Sequence, residues 1–158
     1  MKIAYLHGLE SDCVGPKNIF LSTLGDVYDP CIDYKEQGIY RKIRDEVKEF
    51  QPDIIMGSSM GGYFAYEMAR ELGIPALLFN PGLHNRTMEP DTKGRNRGTK
   101  KPFMKFIFGK HDDVIPFKPT MYFVRRNDAD YQVNDYGHRT PYKDFVREVK
   151  KFIEEIKL

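Results

Sequence analysis

The chain has 158 residues, 41% of them hydrophobic and 30% charged, with a formal net charge of +2. That length fits one domain, taken as residues 1–158, and that apolar content rules out a disordered chain. Its apolar runs are far too short to cross a bilayer, so no membrane span is expected. The N-terminal stretch Met1–Gly8 lacks the apolar run of a signal peptide. Cys13 and Cys31 are too few for a disulfide framework and read as free thiols of a cytoplasmic protein. Neither a CxxC pair nor a Cys/His cluster is present, so no metal site is expected.

In chain order, Lys2–His7 reads as a strand, and residues 17–24 read as a helix after the Gly15-Pro16 break. Residues 26–32 form a second strand interrupted by Asp29-Pro30. Ile39, Ile43, Val47 and Phe50 recur at helical spacing, and Pro52 stops that helix. Asp53–Gly57 is a compact apolar strand, Met60–Leu72 a helix ended by Gly73, and Pro75–Asn80 another buried strand. Residues 84–101 show no period. They hold six bases and two acids, which leaves the rest of the chain slightly acidic. Phe103–Phe108 is a strand, residues 117–126 a helix and Ala129–Asn134 the last strand. The closing helix carries Tyr142, Phe145, Val146, Val149, Phe152, Ile153 and Ile156 along one side.

Strands alternating with helices predict a three-layer α/β/α fold with a mostly parallel, roughly six-stranded sheet. The basic excess sits in one segment instead of along a face, so no nucleic-acid partner is expected. Residues 84–101 read as a solvated, mobile loop; the sharper alternative has Arg95, Arg97 and Lys100 contacting an anionic leaving group.

Gly57-Ser58-Ser59-Met60-Gly61 fits G-x-S-x-G between a predicted strand and a predicted helix, the setting of a nucleophile elbow. The bland alternative is a Gly/Ser turn in a βα unit. Under the sharper reading Ser59 is the nucleophile, and the Met60 N–H is one oxyanion donor at a positive helix terminus. A serine needs a base, and the chain order Ser, acid, His leaves His138 in Tyr136-Gly137-His138-Arg139. The acid lies in Gly109–Pro116, where Asp112 and Asp113 compete. His7-Gly8 closes the first strand, so the Leu9 N–H is the candidate second oxyanion donor, with His7 bracing that loop. Gly8 and Tyr63 are the expected substrate contacts, although Tyr63, Phe64 and Tyr66 also read as helix packing.

Together Tyr5–Gly8, Gly57–Tyr63, Asn80-Pro81, Gly109–Pro116 and Gly137–Arg139 resemble the α/β-hydrolase superfamily, and more narrowly the small YqiA-type esterases. The resemblance implies an α/β-hydrolase fold with no large cap domain and favours Asp112, three places after Gly109, as the acid. It implies hydrolysis of carboxylic esters or thioesters of small acyl substrates, acyl-CoA or short acyl esters, with no metal or organic cofactor. Two features depart from it: the Leu9-Glu10-Ser11-Asp12-Cys13 loop is unusually acidic, and 84–101 matches no familiar lid. The alternative from another class is a non-catalytic binding or regulatory protein on the same fold.

Overall fold

The computed structural model describes residues 1–156. Six strands, β1 (Lys2–Leu6), β2 (Asp26–Tyr28), β3 (Ile54–Ser58), β4 (Ala76–Phe79), β5 (Met104–Gly109) and β6 (Asp130–Asn134), form one sheet in the order β2-β1-β3-β4-β5-β6. Every pairing is parallel. The five helices are α1 (Pro16–Ser22), α2 (Ile39–Phe50), α3 (Met60–Leu72), α4 (Phe117–Arg126) and α5 (Tyr142–Ile156).

A parallel sheet needs apolar cover on both faces, and the strand sequences supply it by alternation. In β1, Ala4 and Leu6 point to one face, where α2, α3 and α4 pack through Ile39, Ile43, Val47, Phe64, Met68 and Val124. Ile3 and Tyr5 point to the other, against Leu21 of α1 and Phe145, Val149 and Phe152 of α5. Phe79 meets Phe145 there with ring centroids 4.9 Å apart. The apolar stripe read from α5 is therefore the cover of the second face.

Boundaries match the predicted elements closely, with one exception. The second strand shrinks to Asp26–Tyr28. Pro30 carries no N–H for a ladder, and the Asp29 carboxylate is drawn off to accept from Asn18 Nδ2 at 2.9 Å.

Cys13 and Cys31 are joined in a disulfide, with Cα atoms 4.9 Å apart, which corrects the expectation of free thiols. The cause is topological. β1 and β2 are parallel neighbours, so the loops leaving them emerge side by side and bring together cysteines 18 residues apart. The pairing removes free thiols as an argument for a reducing compartment. Among the described residues, no helix is long and apolar enough to cross a membrane.

Candidate active site

Because all six strands run in one direction, their carboxyl ends share one edge of the sheet. The strand order reverses direction at β1 and β3, and such a switch point leaves a crevice beyond the strand ends. His7 and Gly8 leave β1 there, Ser59 leaves β3, Asn80 leaves β4, and the segments carrying Asp112 and His138 follow β5 and β6.

Ser59 occupies the turn between β3 and α3 with φ 55° and ψ −117°, an unfavourable backbone for a residue with a side chain. Three backbone hydrogen bonds impose it. The Ser59 N–H donates to Phe79 O at 3.0 Å, and the Ser59 carbonyl accepts from Tyr63 N–H at 3.1 Å and Gly82 N–H at 2.9 Å. The glycines of the motif are required by close approach. A Cβ on Gly57 would stand 2.2 Å from Gly61 O, and one on Gly61 would stand 2.0 Å from Leu6 O. The start of α3 is thus pressed onto β1 and β3, which sets Ser59 at the head of the sheet.

His138 Nδ1 lies 2.8 Å from Asp112 Oδ2, and the Asp112 side chain is fully buried. Its other oxygen accepts the N–H groups of Val114 at 2.9 Å and Ile115 at 2.8 Å. An acceptor so fixed places the imidazole proton on Nδ1 and leaves Nε2 with a free lone pair. Asp113 is exposed at the cavity rim. The geometry therefore gives the histidine to Asp112.

Ser59 and His138 line one cavity of about 730 Å³, together with Gly8, Leu9, Met60, Gly82 and Arg86. The hydrogen bond from Ser59 Oγ to His138 is not formed, a contact that often tightens only when substrate is bound. Among the described residues, the N–H groups of Leu9 and Met60 find no acceptor. Gly8 packs directly on the turn that carries Ser59, since a Cβ there would lie 3.4 Å from Ser59 Cβ.

His7 is buried and holds the Leu9 loop. Its Nε2 accepts the Ile32 N–H at 2.8 Å, so Nδ1 carries the proton and donates to Gly8 O at 2.6 Å. Tyr34 OH donates to His7 O at 2.5 Å. Burial pushes the Tyr34 hydroxyl well above its ordinary pKa, keeping it a donor. The brace runs to Ile32, the neighbour of Cys31, so the disulfide and the His7 contacts tie the same two loops.

Sequence reasoning left Asn80 without a role. Its side chain is a clamp: Nδ2 donates to His138 O at 2.7 Å, and Oδ1 accepts the Gly109 N–H at 2.6 Å. The available signal was an asparagine directly before proline at a strand end, a position that favours a special backbone; here φ is 42°.

Tyr63 does not line the cavity. The Arg86 guanidinium covers its ring at 4.0 Å, and Arg95 donates to its hydroxyl, so the expected substrate contact Tyr63 is engaged by these two arginines in this structure. Residues 84–101 are also more tightly held than a free surface loop. Asp91 accepts the Gly38 N–H at 2.7 Å, Arg95 approaches Glu67 at 3.6 Å, and Lys100 Nζ donates to Leu72 O at 3.2 Å. The segment straps α2 and α3. Only Arg86 and Thr87 of it reach the cavity, so Arg95, Arg97 and Lys100 are not placed to meet a leaving group.

Several solved structures share this fold. A putative hydrolase of the alpha/beta superfamily from Xanthomonas campestris pv. campestris aligns with TM-score 0.73 at 18% identity, covering 99% of this chain and 96% of that one. An esterase from Pyrococcus furiosus aligns with TM-score 0.73 at 17% identity, covering 98% and 81%. An alpha/beta hydrolase enzyme from the metagenome of lagoon sediments of Mar Chica, Morocco, aligns with TM-score 0.71 at 18% identity, covering 99% and 92%. A comparison with curated proteins found no match. The sequence profile of the uncharacterised protein family UPF0227 matches residues 2–105, which include the β1 exit and the Ser59 elbow but not Asp112 or His138. The chain has the α/β-hydrolase fold and belongs to the uncharacterised protein family UPF0227.

Proposed function

We propose that the protein is a serine hydrolase that cleaves carboxylic ester or thioester bonds of small acyl substrates through an acyl-enzyme on Ser59. The observation that carries this reading is the His138–Asp112 pair, Nδ1 to Oδ2 at 2.8 Å, on the same cavity as a serine held at φ 55°. The esterase and hydrolase names of the structural neighbours agree with it.

In the proposed mechanism His138 Nε2 takes the Ser59 hydroxyl proton as Oγ attacks the substrate carbonyl. The negative charge that develops on the carbonyl oxygen is met by the N–H groups of Met60 and Leu9 and by the positive end of α3. Asp112 holds the tautomer and offsets the charge of the imidazolium. The imidazolium then gives its proton to the departing alcohol or thiol, leaving Ser59 acylated. Water enters, His138 Nε2 takes its proton, and the second tetrahedral intermediate collapses to release the carboxylic acid and restore Ser59. General-base help of this type is worth roughly 10²–10⁴-fold, and one oxyanion donor about 10²–10³-fold.

The test is covalent labelling with a fluorophosphonate probe. Labelling of the wild type and none of Ser59→Ala or His138→Ala supports the reading. A folded wild type that takes no label, or Ser59→Ala that labels equally, overturns it in favour of a binding or regulatory protein.

A further inference from the structure

The cavity has cations that the proposed mechanism does not use. Lys17, in the first turn of α1, and Arg139, directly after His138, both line it. Neither forms an ion pair among the described residues. Most cations elsewhere near the site are already engaged: Arg86 with Glu89 and with the carbonyls of Gly82 and Leu83, and Arg95 with Glu67 and Tyr63. Lys17 Nζ instead lies 5.2 Å from the centroid of the Phe145 ring, on the apolar floor between α1 and α5. The charge that acts on Lys17 is of its own sign. Burial, and then the Arg139 guanidinium, lower its pKa. The carboxylates that also line the cavity, Glu10, Asp12 and Asp113, are exposed and lie beyond ion-pair distance of both cations.

Two cations that line one cavity without counter-charges favour an anion there, because charge-assisted hydrogen bonds to an anionic oxygen neutralise both. The backbone that carries Arg139 is anchored beside the site, because the carbonyl of the preceding residue accepts from Asn80 Nδ2 at 2.7 Å, while the guanidinium itself is exposed. Lys17 is half-buried on α1, which packs against α5. We propose that Lys17 and Arg139 form a subsite for an anionic oxygen group, a carboxylate or phosphate, on the substrate cleaved at Ser59. The proposal rests on the hydrolase reading for the word substrate, but the anion site itself does not. Arg139 directly follows His138, the proposed proton donor to the leaving group, so an anion on the leaving-group side of the scissile bond is the first arm to test. The lysine contributes a point charge and the arginine a fork that matches two oxygens.

The experiment has a kinetic arm and a binding arm. The kinetic arm measures kcat/KM for matched ester pairs. One pair carries a carboxylate or an amide on the acyl part; the other carries a phosphate or a hydroxyl on the alcohol. The expected result is a wild-type preference for the charged alcohol of about 10–100-fold, the usual worth of charged hydrogen bonds. That ratio collapses in Lys17→Met and Arg139→Met and returns in Lys17→Arg. A charge preference on the acyl pair instead keeps the subsite and moves it across the scissile bond. A wild-type ratio near one on both pairs, or a ratio that survives both methionine variants, overturns the proposal. The binding arm titrates Ser59→Ala calorimetrically with succinate and inorganic phosphate, against succinamide, in each background. Anion binding lost in the methionine variants, from a protein that hydrolyses no ester, supports the subsite and refutes the hydrolase reading. Absence of anion binding together with neutral-ester turnover does the reverse.

Discussion

Replacing Asn80 by alanine should cost both stability and turnover, because one carboxamide joins β4, β5 and the His138 loop. Asn80 is 2% exposed, and its two polar atoms satisfy Gly109 N–H at 2.6 Å and His138 O at 2.7 Å. Removing it leaves the buried Gly109 N–H and the part-buried His138 carbonyl without those partners. A stranded buried group costs about 1–3 kcal/mol, and the carbonyl belongs at the lower end because water can reach it. Alanine at φ 42° adds strain that asparagine tolerates better. The total is about 2–4 kcal/mol, or roughly 5–15 °C in Tm for a chain of this size. Release of the His138 carbonyl also loosens the imidazole, and a misplacement of about 1 Å at a catalytic group can cost 10²-fold. The loss should fall on kcat rather than KM, since Asn80 lies behind His138 and does not line the cavity. Asn80→Asp is the informative control. It keeps an acceptor for Gly109 N–H but turns an anionic oxygen toward the His138 carbonyl, so it should recover part of the stability and little of kcat. Thermal melts and ester kinetics on the three proteins read both effects. An alanine variant with wild-type Tm and kcat would refute the clamp.

The disulfide should be worth about 3 kcal/mol on the loop-entropy account for its 18-residue separation, so Cys13→Ser/Cys31→Ser should melt roughly 6–12 °C lower. Equal melting of the two proteins would count against the pairing, as would a free-thiol assay that finds two reactive thiols in the native chain. Gly61→Ala should lower Tm and abolish fluorophosphonate labelling, because its Cβ would meet Leu6 O at 2.0 Å and His7 O at 2.4 Å and force α3 off β1. Retained labelling at wild-type Tm would mean that α3 does not press on β1 at Gly61.

The elements most legible in the sequence were those with a long period or a hard stop. α2 carries Ile39, Ile43 and Val47 on one buried face and ends before Pro52, while α3 runs from the Gly-rich elbow to Gly73. The sequence offers Ser59, the Asp112–Asp113 pair and His138 as candidates in chain order, and the fold sets Asp112 rather than Asp113 against His138. Asp112 turns inward because Val114 and Ile115 donate to it, a local loop geometry that residue types alone do not specify. The remainder depended on distant parts of the chain. Cys13 meets Cys31 only because β1 and β2 are neighbours. Residues 84–101 looked unattached because their anchors, Gly38, Glu67 and Leu72, lie on other helices or their edges. The surroundings of Tyr63 were hidden for the same reason: its place near Ser59 in sequence says nothing of Arg86, which covers its ring. Lys17 and Arg139 are 122 positions apart and become a pair only when α1 and the β6–α5 loop close the same cavity.

The most direct test of the central claim is to quench the protein during turnover of an activated ester such as p-nitrophenyl butyrate and map the acylated peptide by mass spectrometry. The account predicts the acyl group on Ser59, accumulating in wild type and absent from Ser59→Ala and His138→Ala. Turnover that proceeds with no acylated Ser59, or an acyl group carried by another residue, would contradict it.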